Sequence, residues 1–160
     1  MGGGLSVTTK YLNHPILCLG YRFEYQGKSI VTAYDHEPFR NLFPTDPADP
    51  GYNEDAAKEG ELAVKDENEK MLRFFRNADV LIHDSQYTAA EFEKHLGWGH
   101  SNFEYCTGAA EKAGVKKLVF FHHDPNRTDK DLTRLEDHYR AKNTPGMEIM
   151  MAREGLTVIA

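Results

Sequence analysis

The apolar residues of this chain fall into short dense runs, set apart by polar and turn-forming stretches. Leu5 to Leu12 alternates through Val7, Thr9 and Tyr11 and predicts a strand ending at Asn13-His14-Pro15. Cys18 to Tyr25 predicts a second, with Leu19, Tyr21, Phe23 and Tyr25 on one face and Gly20, Arg22 and Glu24 on the other. Gln26-Gly27 makes a hairpin turn into a third strand, Lys28 to Ala33. Residues 39–54 carry three prolines and predict a surface loop. The highly charged segment that follows becomes amphipathic from Asn68 to Asn77 through Met71, Leu72, Phe74 and Phe75, which is a helix pattern. Its Lys/Glu run from Glu54 to Glu69 is expected to be a solvated face.

Further along, Asp79 to Ile82 predicts a fourth strand. Thr88 and Glu91 form a capping box for a short helix to His95, and Asn102 to Ala113 predicts a helix ended by Gly114. Lys116 to Phe121 is dense enough in valine and phenylalanine for a strand buried on both faces. Thr128 or Asp129 caps a helix through about Lys142, with Leu132, Leu135 and Tyr139 inward. Asn143-Thr144-Pro145-Gly146 then turns into an expected hairpin, Met147 to Arg153 and Leu156 to Ala160, joined by Glu154-Gly155. The order βββ-α-β-α-α-β-α-ββ is an α/β layout, a mixed sheet flanked by helices. At 160 residues the chain is one domain by length.

Three of these strands run straight into imidazoles and carboxylates. Ser29–Ala33 leads to Tyr34-Asp35-His36-Glu37-Pro38, Val80–Ile82 to His83-Asp84, and Leu118–Phe121 to His122-His123-Asp124-Pro125. Such polar groups at strand mouths are where ligands are commonly held, and they point to a metal centre built on strand ends. His14, Asp35 and His122 are the ligand candidates. Each alone serves equally as a cap or turn residue, and the three together carry more weight because they occupy the same kind of place. His100 lies in a glycine-bounded loop (Gly97, Gly99) before a helix, where Asp84 could orient it as a general acid. His83, His36, His123 and His95 are weaker candidates.

Bulk composition limits the alternatives. With 28% charged and 40% hydrophobic residues the chain is an ordinary globular protein. A net charge of −6 argues against broad electrostatic binding of nucleic acid, while leaving room for a locally positive site. Two isolated cysteines, Cys18 and Cys106, suit buried reduced thiols and a cytoplasmic location. No apolar run approaches a membrane span.

The segments Asn13-His14-Pro15, Leu19-Gly20-Tyr21-Arg22 and Tyr34-Asp35-His36-Glu37-Pro38 resemble the second half of the metallo-β-lactamase superfamily. The nearest branch is the phosphodiesterase group that includes ribonuclease Z and cyclic-nucleotide phosphodiesterases. His83-Asp84-Ser85-Gln86-Tyr87 resembles that branch's His-Glu-Ala-Thr segment, with Asp84 in place of Glu. Gly99-His100-Ser101 resembles its His-Ser-Thr segment, and the spacing from His100 to His122 fits. Ala152-Arg153-Glu154-Gly155-Leu156 resembles the end of such domains.

The resemblance implies the C-terminal half of an αββα sandwich that hydrolyses phosphodiesters with two divalent metal ions, zinc first, manganese or iron otherwise. It implies His14 as a ligand of the first metal, Asp35 as the bridging carboxylate and His122 as a ligand of the second. His100 would be the general acid with Asp84 its partner, and His123 and Arg127 would contact substrate, either a small phosphodiester or RNA. The family's His-x-His-x-Asp-His cluster does not occur in the sequence. Residues 1–160 are therefore expected to be a partial domain, a fragment beginning at Gly2-Gly3-Gly4, that alone binds little or no metal and has little activity. A bare sheet face is expected to lead to self-association or to take a missing N-terminal half. The alternative is a non-catalytic binding or assembly module that keeps the fold.

Overall fold

The computed structural model describes residues 4–142 and 145–160, so the proposed Gly2-Gly3 start and Asn143-Thr144 turn lie outside the described residues. The elements in chain order are β1 (Ser6–Tyr11), β2 (Leu19–Tyr25), β3 (Lys28–Ala33), α1 (Glu54–Phe75), β4 (Val80–Asp84), α2 (Ala89–Phe92), α3 (Phe103–Ala113), β5 (Lys117–Phe121), α4 (Asp129–Lys142) and β6 (Glu148–Met151). They build one six-stranded sheet in sequence order, β1 to β6. The first three strands are antiparallel, and β3, β4, β5 and β6 are mutually parallel.

This topology decides where the helices go. Parallel neighbours need a crossover, and crossovers are right-handed. Because β3 to β6 advance in one direction across the sheet, every right-handed crossover lands on the same face. The core accordingly takes from β3–β6 only Val31, Ala33, Leu81, Leu118, Phe120, Ile149 and Met151, and joins them to Met71, Phe74 and Phe75 of α1, five residues of α3 and Tyr139 of α4. The registers Val31↔Leu81, Leu81↔Leu118 and Leu118↔Ile149 confirm that these strand residues share a face.

Side chains of the other face are in register too: Val7↔Phe23, Tyr11↔Leu19, Phe23↔Ile30 and Ile82↔Val119. None of them joins the helix-side cluster, although Val119 and its face-mate Val80 are themselves buried. Val7, Tyr11, Tyr21 and Phe121 are exposed, and Leu19, Phe23, Ile30, Ile82 and Met150 are half-buried. The apolar side of β2 thus belongs to an uncovered face, while its plainer side, with Gly20 and Arg22, meets α1. A Cβ at Gly20 would lie 2.8 Å from the Thr32 carbonyl oxygen and 3.1 Å from the Phe74 ring, so only glycine fits. Arg22 donates to the Phe74 and Arg76 carbonyls at the end of α1, which satisfies orphaned acceptors there.

The local chemistry of the helix ends follows the sequence. Asn53 accepts from Ala56 N at the start of α1 and Asn102 from Tyr105 N at the start of α3, and Gly114 closes α3 in the left-handed conformation. The Thr88–Glu91 capping box forms. The expected terminal hairpin does not. β6 pairs in parallel with β5 at the edge of the sheet, and although Leu156 N donates to Arg153 O to close the turn, residues 156–160 form no strand against its open edge; the chain there runs to Lys117, whose Nζ donates to the Ile159 carbonyl.

Candidate metal centre at the strand ends

Parallel strands end on the same side, and ligands of such sheets sit beyond their carboxyl ends. Here β3, β4 and β5 deliver Asp35, Asp84 and His122 to one place, and the loop ahead of α3 adds His100. Ligand atoms of these four side chains all lie within 4.8 Å of one another. His122 Nε2 is 3.4 Å from Asp35 Oδ1, and the His100 and His122 rings stack at 4.6 Å.

Asp84 closes β4 fully buried. Its Oδ2 accepts from His100 Nδ1 at 2.6 Å, while Oδ1 accepts from Gln86 N and Ser101 N. Burial pushes the Asp84 carboxyl above its ordinary range against the pull of His100, and the hydrogen bond to Asp84 raises the His100 imidazole. With Nδ1 donating to Asp84, His100 turns Nε2 outward. The loop that carries it is pinned by Tyr87 N to Ser101 O and Phe103 N to Tyr87 O.

His122 adopts a φ of 56°, a left-handed conformation that costs a non-glycine residue free energy and persists where surrounding structure enforces it. Its Nδ1 is buried and has no hydrogen-bond partner. A carboxylate facing an imidazole with an unpartnered nitrogen is a donor set that suits a divalent cation of borderline softness.

The other proposed residues fall in different positions. His14 lies outside the group of four, its ring 5.6 Å from that of His100. Its Nδ1 lies 3.0 Å from the Ile16 carbonyl and 3.2 Å from the Ile16 N–H; the tautomer that donates to the carbonyl leaves the Nε2 lone pair free, and the one that accepts from the N–H does not. His123 is turned from the cluster onto the Ala152 carbonyl, and burial lowers its basicity. Arg127 pairs with Glu91, donates to the Gln86 carbonyl and lies 5.7 Å over the Phe103 ring. Both are engaged in holding loops together rather than aimed at the four-residue cluster.

His36 and His83 also leave the site. Neighbouring strand residues point to opposite faces, so with Asp84 at the mouth His83 enters the core, where it meets Phe75 and Tyr105 and receives no exposure. Burial lowers its imidazole to about 4 and that of His36 well below its ordinary value. Cys106 contacts the same ring at 3.2 Å. Two further residues have a place in the site that the sequence did not announce. Ser101 donates to the His36 carbonyl, and Glu37, only 3% exposed, accepts from Gly97 N and Gly99 N.

No protein-family model matches the chain. A ribonuclease Z from Exiguobacterium sibiricum is 30% identical to it over 162 aligned positions, covering 86% of this chain and 52% of the relative. A ribonuclease Z from Thermoplasma acidophilum is 31% identical over 93 residues, 54% of this chain and 30% of that one. Among solved structures, the metallo-β-lactamase fold protein YhfI from Bacillus subtilis superposes with a TM-score of 0.63 at 19% identity, over 98% of this chain and 50% of its own. The short form of human tRNase Z gives 0.57 at 18%, over 95% and 42%.

The chain has the metallo-β-lactamase fold, and in sequence it is similar to ribonuclease Z proteins. Its sequence relatives lie in the ribonuclease Z branch, and it spans about half the length of the relatives that cover most of it. The whole of this chain thus superposes on about half of YhfI and on less than half of the human enzyme.

Proposed function

We propose that this chain contributes one part of a metal-dependent phosphodiesterase centre, as a single partial domain. The observation that carries the reading is the meeting of Asp35, Asp84, His100 and His122 at the ends of three parallel strands, with His100 and Asp84 already paired at 2.6 Å. Asp35 and His122 would hold a divalent cation, with His14 Nε2 on the adjoining side. Zinc fits the nitrogen and carboxylate donors best, with manganese or iron as alternatives. When bound, such ions supply Lewis acidity and neutralise charge developing on phosphoryl oxygens.

In this reading His100 Nε2 gives its proton to the leaving oxygen. Asp84 keeps Nδ1 protonated, aims the ring and stabilises its charged form. Because Asp84 is one methylene shorter than glutamate, its backbone anchors at Gln86 and Ser101 set the position of the pair. The substrate class is a phosphodiester, and the relatives named ribonuclease Z and ribonuclease BN favour RNA. No helix among the described residues is long and apolar enough to cross a membrane, and both cysteines are free, which supports placement in the cytoplasm.

Metal content of the purified chain by elemental analysis, alongside hydrolysis of bis-p-nitrophenyl phosphate with added zinc or manganese, tests this reading. Weak, substoichiometric metal and little turnover are expected, with both abolished in His122→Ala. Tight stoichiometric metal and rapid turnover would show that the donors on this chain suffice. Metal binding unaffected by Asp35→Ala and His122→Ala would overturn the assignment.

A second reading, an assembly module without activity, is favoured by the uncovered sheet face. Under it the chain associates through Val7, Tyr21, Phe23 and Phe121, either with a second copy or with another polypeptide segment. A stable monomer by light scattering at high concentration would count against the second copy.

A further inference from the structure

Glu37 follows Asp35 by two residues and has no part in ligand binding, yet three strands of evidence converge on it. Its backbone N–H donates to the Asn13 carbonyl at 2.9 Å, fixing the segment that carries His14. Its carboxylate is almost wholly buried, and both oxygens are within 2.9 Å of Gly97 N, with Oε2 also accepting from Gly99 N at 2.8 Å. Arg40 Nε stands 3.5 Å from Oε1.

A buried carboxylate costs several kcal/mol in desolvation unless its oxygens are satisfied. Here the compensation comes largely from backbone N–H groups of a loop that would otherwise have no reason to arch. Gly97 and Gly99 take φ values of 85° and 90°, so the two N–H groups converge on one side. The arch also brings Gly99 against His14 so closely that a Cβ would lie 2.2 Å from the His14 ring and 2.5 Å from Pro15. The residue after Gly99 is His100. Gly99, Glu37 and the carbonyl of His36, which accepts from Ser101 Oγ, therefore clamp His100 from both sides to the turn that presents Asp35.

We infer that Glu37 is the positioning residue of this centre: it sets the height of the Gly97–Gly99 arch, and so holds His100 in line with Asp84 and beside Asp35 and His122. The inference rests on the reading of His100 as an acid for its purpose, but not for how His100 is held, and it can be tested on the metal-free chain. The probe is the low-field proton resonance of His100 Nδ1–H in its hydrogen bond to Asp84, assigned by its loss in Asp84→Asn. Glu37→Ala is expected to abolish that resonance and to speed amide exchange of Gly97 and Gly99 at least about tenfold.

Glu37→Gln can keep its amide oxygen at the Oε2 place, facing both glycine N–H groups, but puts an amide donor at the Oε1 place, 2.9 Å from Gly97 N and beside Arg40, so the His100 resonance is expected to broaden and shift. Arg40→Ala, which removes the ion pair to Glu37 but neither glycine N–H bond, is expected to leave it in place. A merely structural Glu37 predicts a lower melting temperature with the His100 resonance intact in Glu37→Gln, and that result overturns the proposal. Should Glu37→Ala fail to fold, the glutamine variant alone decides. Loss of the resonance in a chain whose metal binding is unaffected by Asp35→Ala and His122→Ala would sustain the positioning role while removing the phosphodiesterase reading.

Discussion

Phe120 and Phe121 are neighbours on β5 and meet opposite fates. Phe120 is fully buried among Phe103, Tyr139 and the rest of the helix-covered core, whereas Phe121 is 39% exposed and touches Tyr34 on the bare face. One pleat of the strand separates a finished interior from an unfinished one. The covered face supplies stability through close packing. The uncovered face is apolar but has no layer to pack on, and contiguous exposed apolar surface marks a place where something binds. The candidate centre sits at the boundary, on strand ends that both faces share, and so depends on the first face for rigidity and on whatever meets the second for completion.

The largest expected difference between the faces comes from the two phenylalanines themselves. Phe120→Ala should cost about 3–5 kcal/mol in denaturant unfolding, from lost transfer energy and a cavity, and Phe121→Ala less than about 1 kcal/mol. Equal costs would mean that the second face is packed in solution.

Acid should attack the covered face next. His83 is held neutral, with its imidazole lowered to about 4 by burial, while in the unfolded chain it titrates near about 6.5. The unfolded state therefore binds the extra proton first, and stability is lost as pH falls from about 6.5 towards 4, by on the order of 2–3 kcal/mol. Urea unfolding at stepped pH measures the slope, and His83→Leu should reduce it, leaving the part that the buried His36 contributes. An unchanged slope would assign the loss to other groups.

A smaller effect belongs to the opposite end of the same strands. Asp79 accepts from Ser29 N and from Lys116 Nζ, each at 2.8 Å, and the Lys116 ammonium leads in lowering its carboxyl to about 2. Its contribution is complete above about pH 4 and disappears as pH falls through 2, a window below that of His83. Asp79→Asn should cost about 1–2 kcal/mol at pH 7 and almost nothing at pH 2, by the same unfolding assay.

The smallest change in stability, and the most informative about association, is expected from Tyr21→Ser combined with Phe121→Ser. Both residues lie on the bare face, so unfolding free energy should change by less than about 1 kcal/mol, while binding of an apolar dye falls and any dimer seen by light scattering dissociates. A dimer that survives these changes does not use this face.

Much of this was legible in the residues. Turn chemistry at Gln26-Gly27, the caps at Thr88, Asn102 and Gly114 and the density of Leu118–Phe121 fix elements through local physics alone. Asp35, Asp84 and His122 were visible because strand ends followed by imidazoles and carboxylates are unusual, and His100 because it sits in a glycine-bounded loop before a helix. Period two then separated what adjacency had joined, sending His83 inward and leaving Asp84 at the mouth. Which side of β2 would be covered could not be read from polarity, because the side with Leu19, Tyr21 and Phe23 is the more apolar and yet lies bare. Only right-handed crossovers decide it. The terminal hairpin was not decided locally either, since the turn at Arg153–Leu156 closes but Lys117 holds the last residues and the outer edge of β6 stays open. Glu37 gave no signal at all, because its partners are backbone N–H groups sixty positions away in sequence.

The order of the strands also has a kinetic consequence. Asp35 and His122 are separated by more than half the chain, and they meet only after β3, β4 and β5 have paired in parallel through their helical crossovers. Contacts of such long sequence separation form late and slowly. A nascent chain therefore carries these carboxylates and imidazoles only singly, and the four-residue cluster first exists at the assembled strand ends.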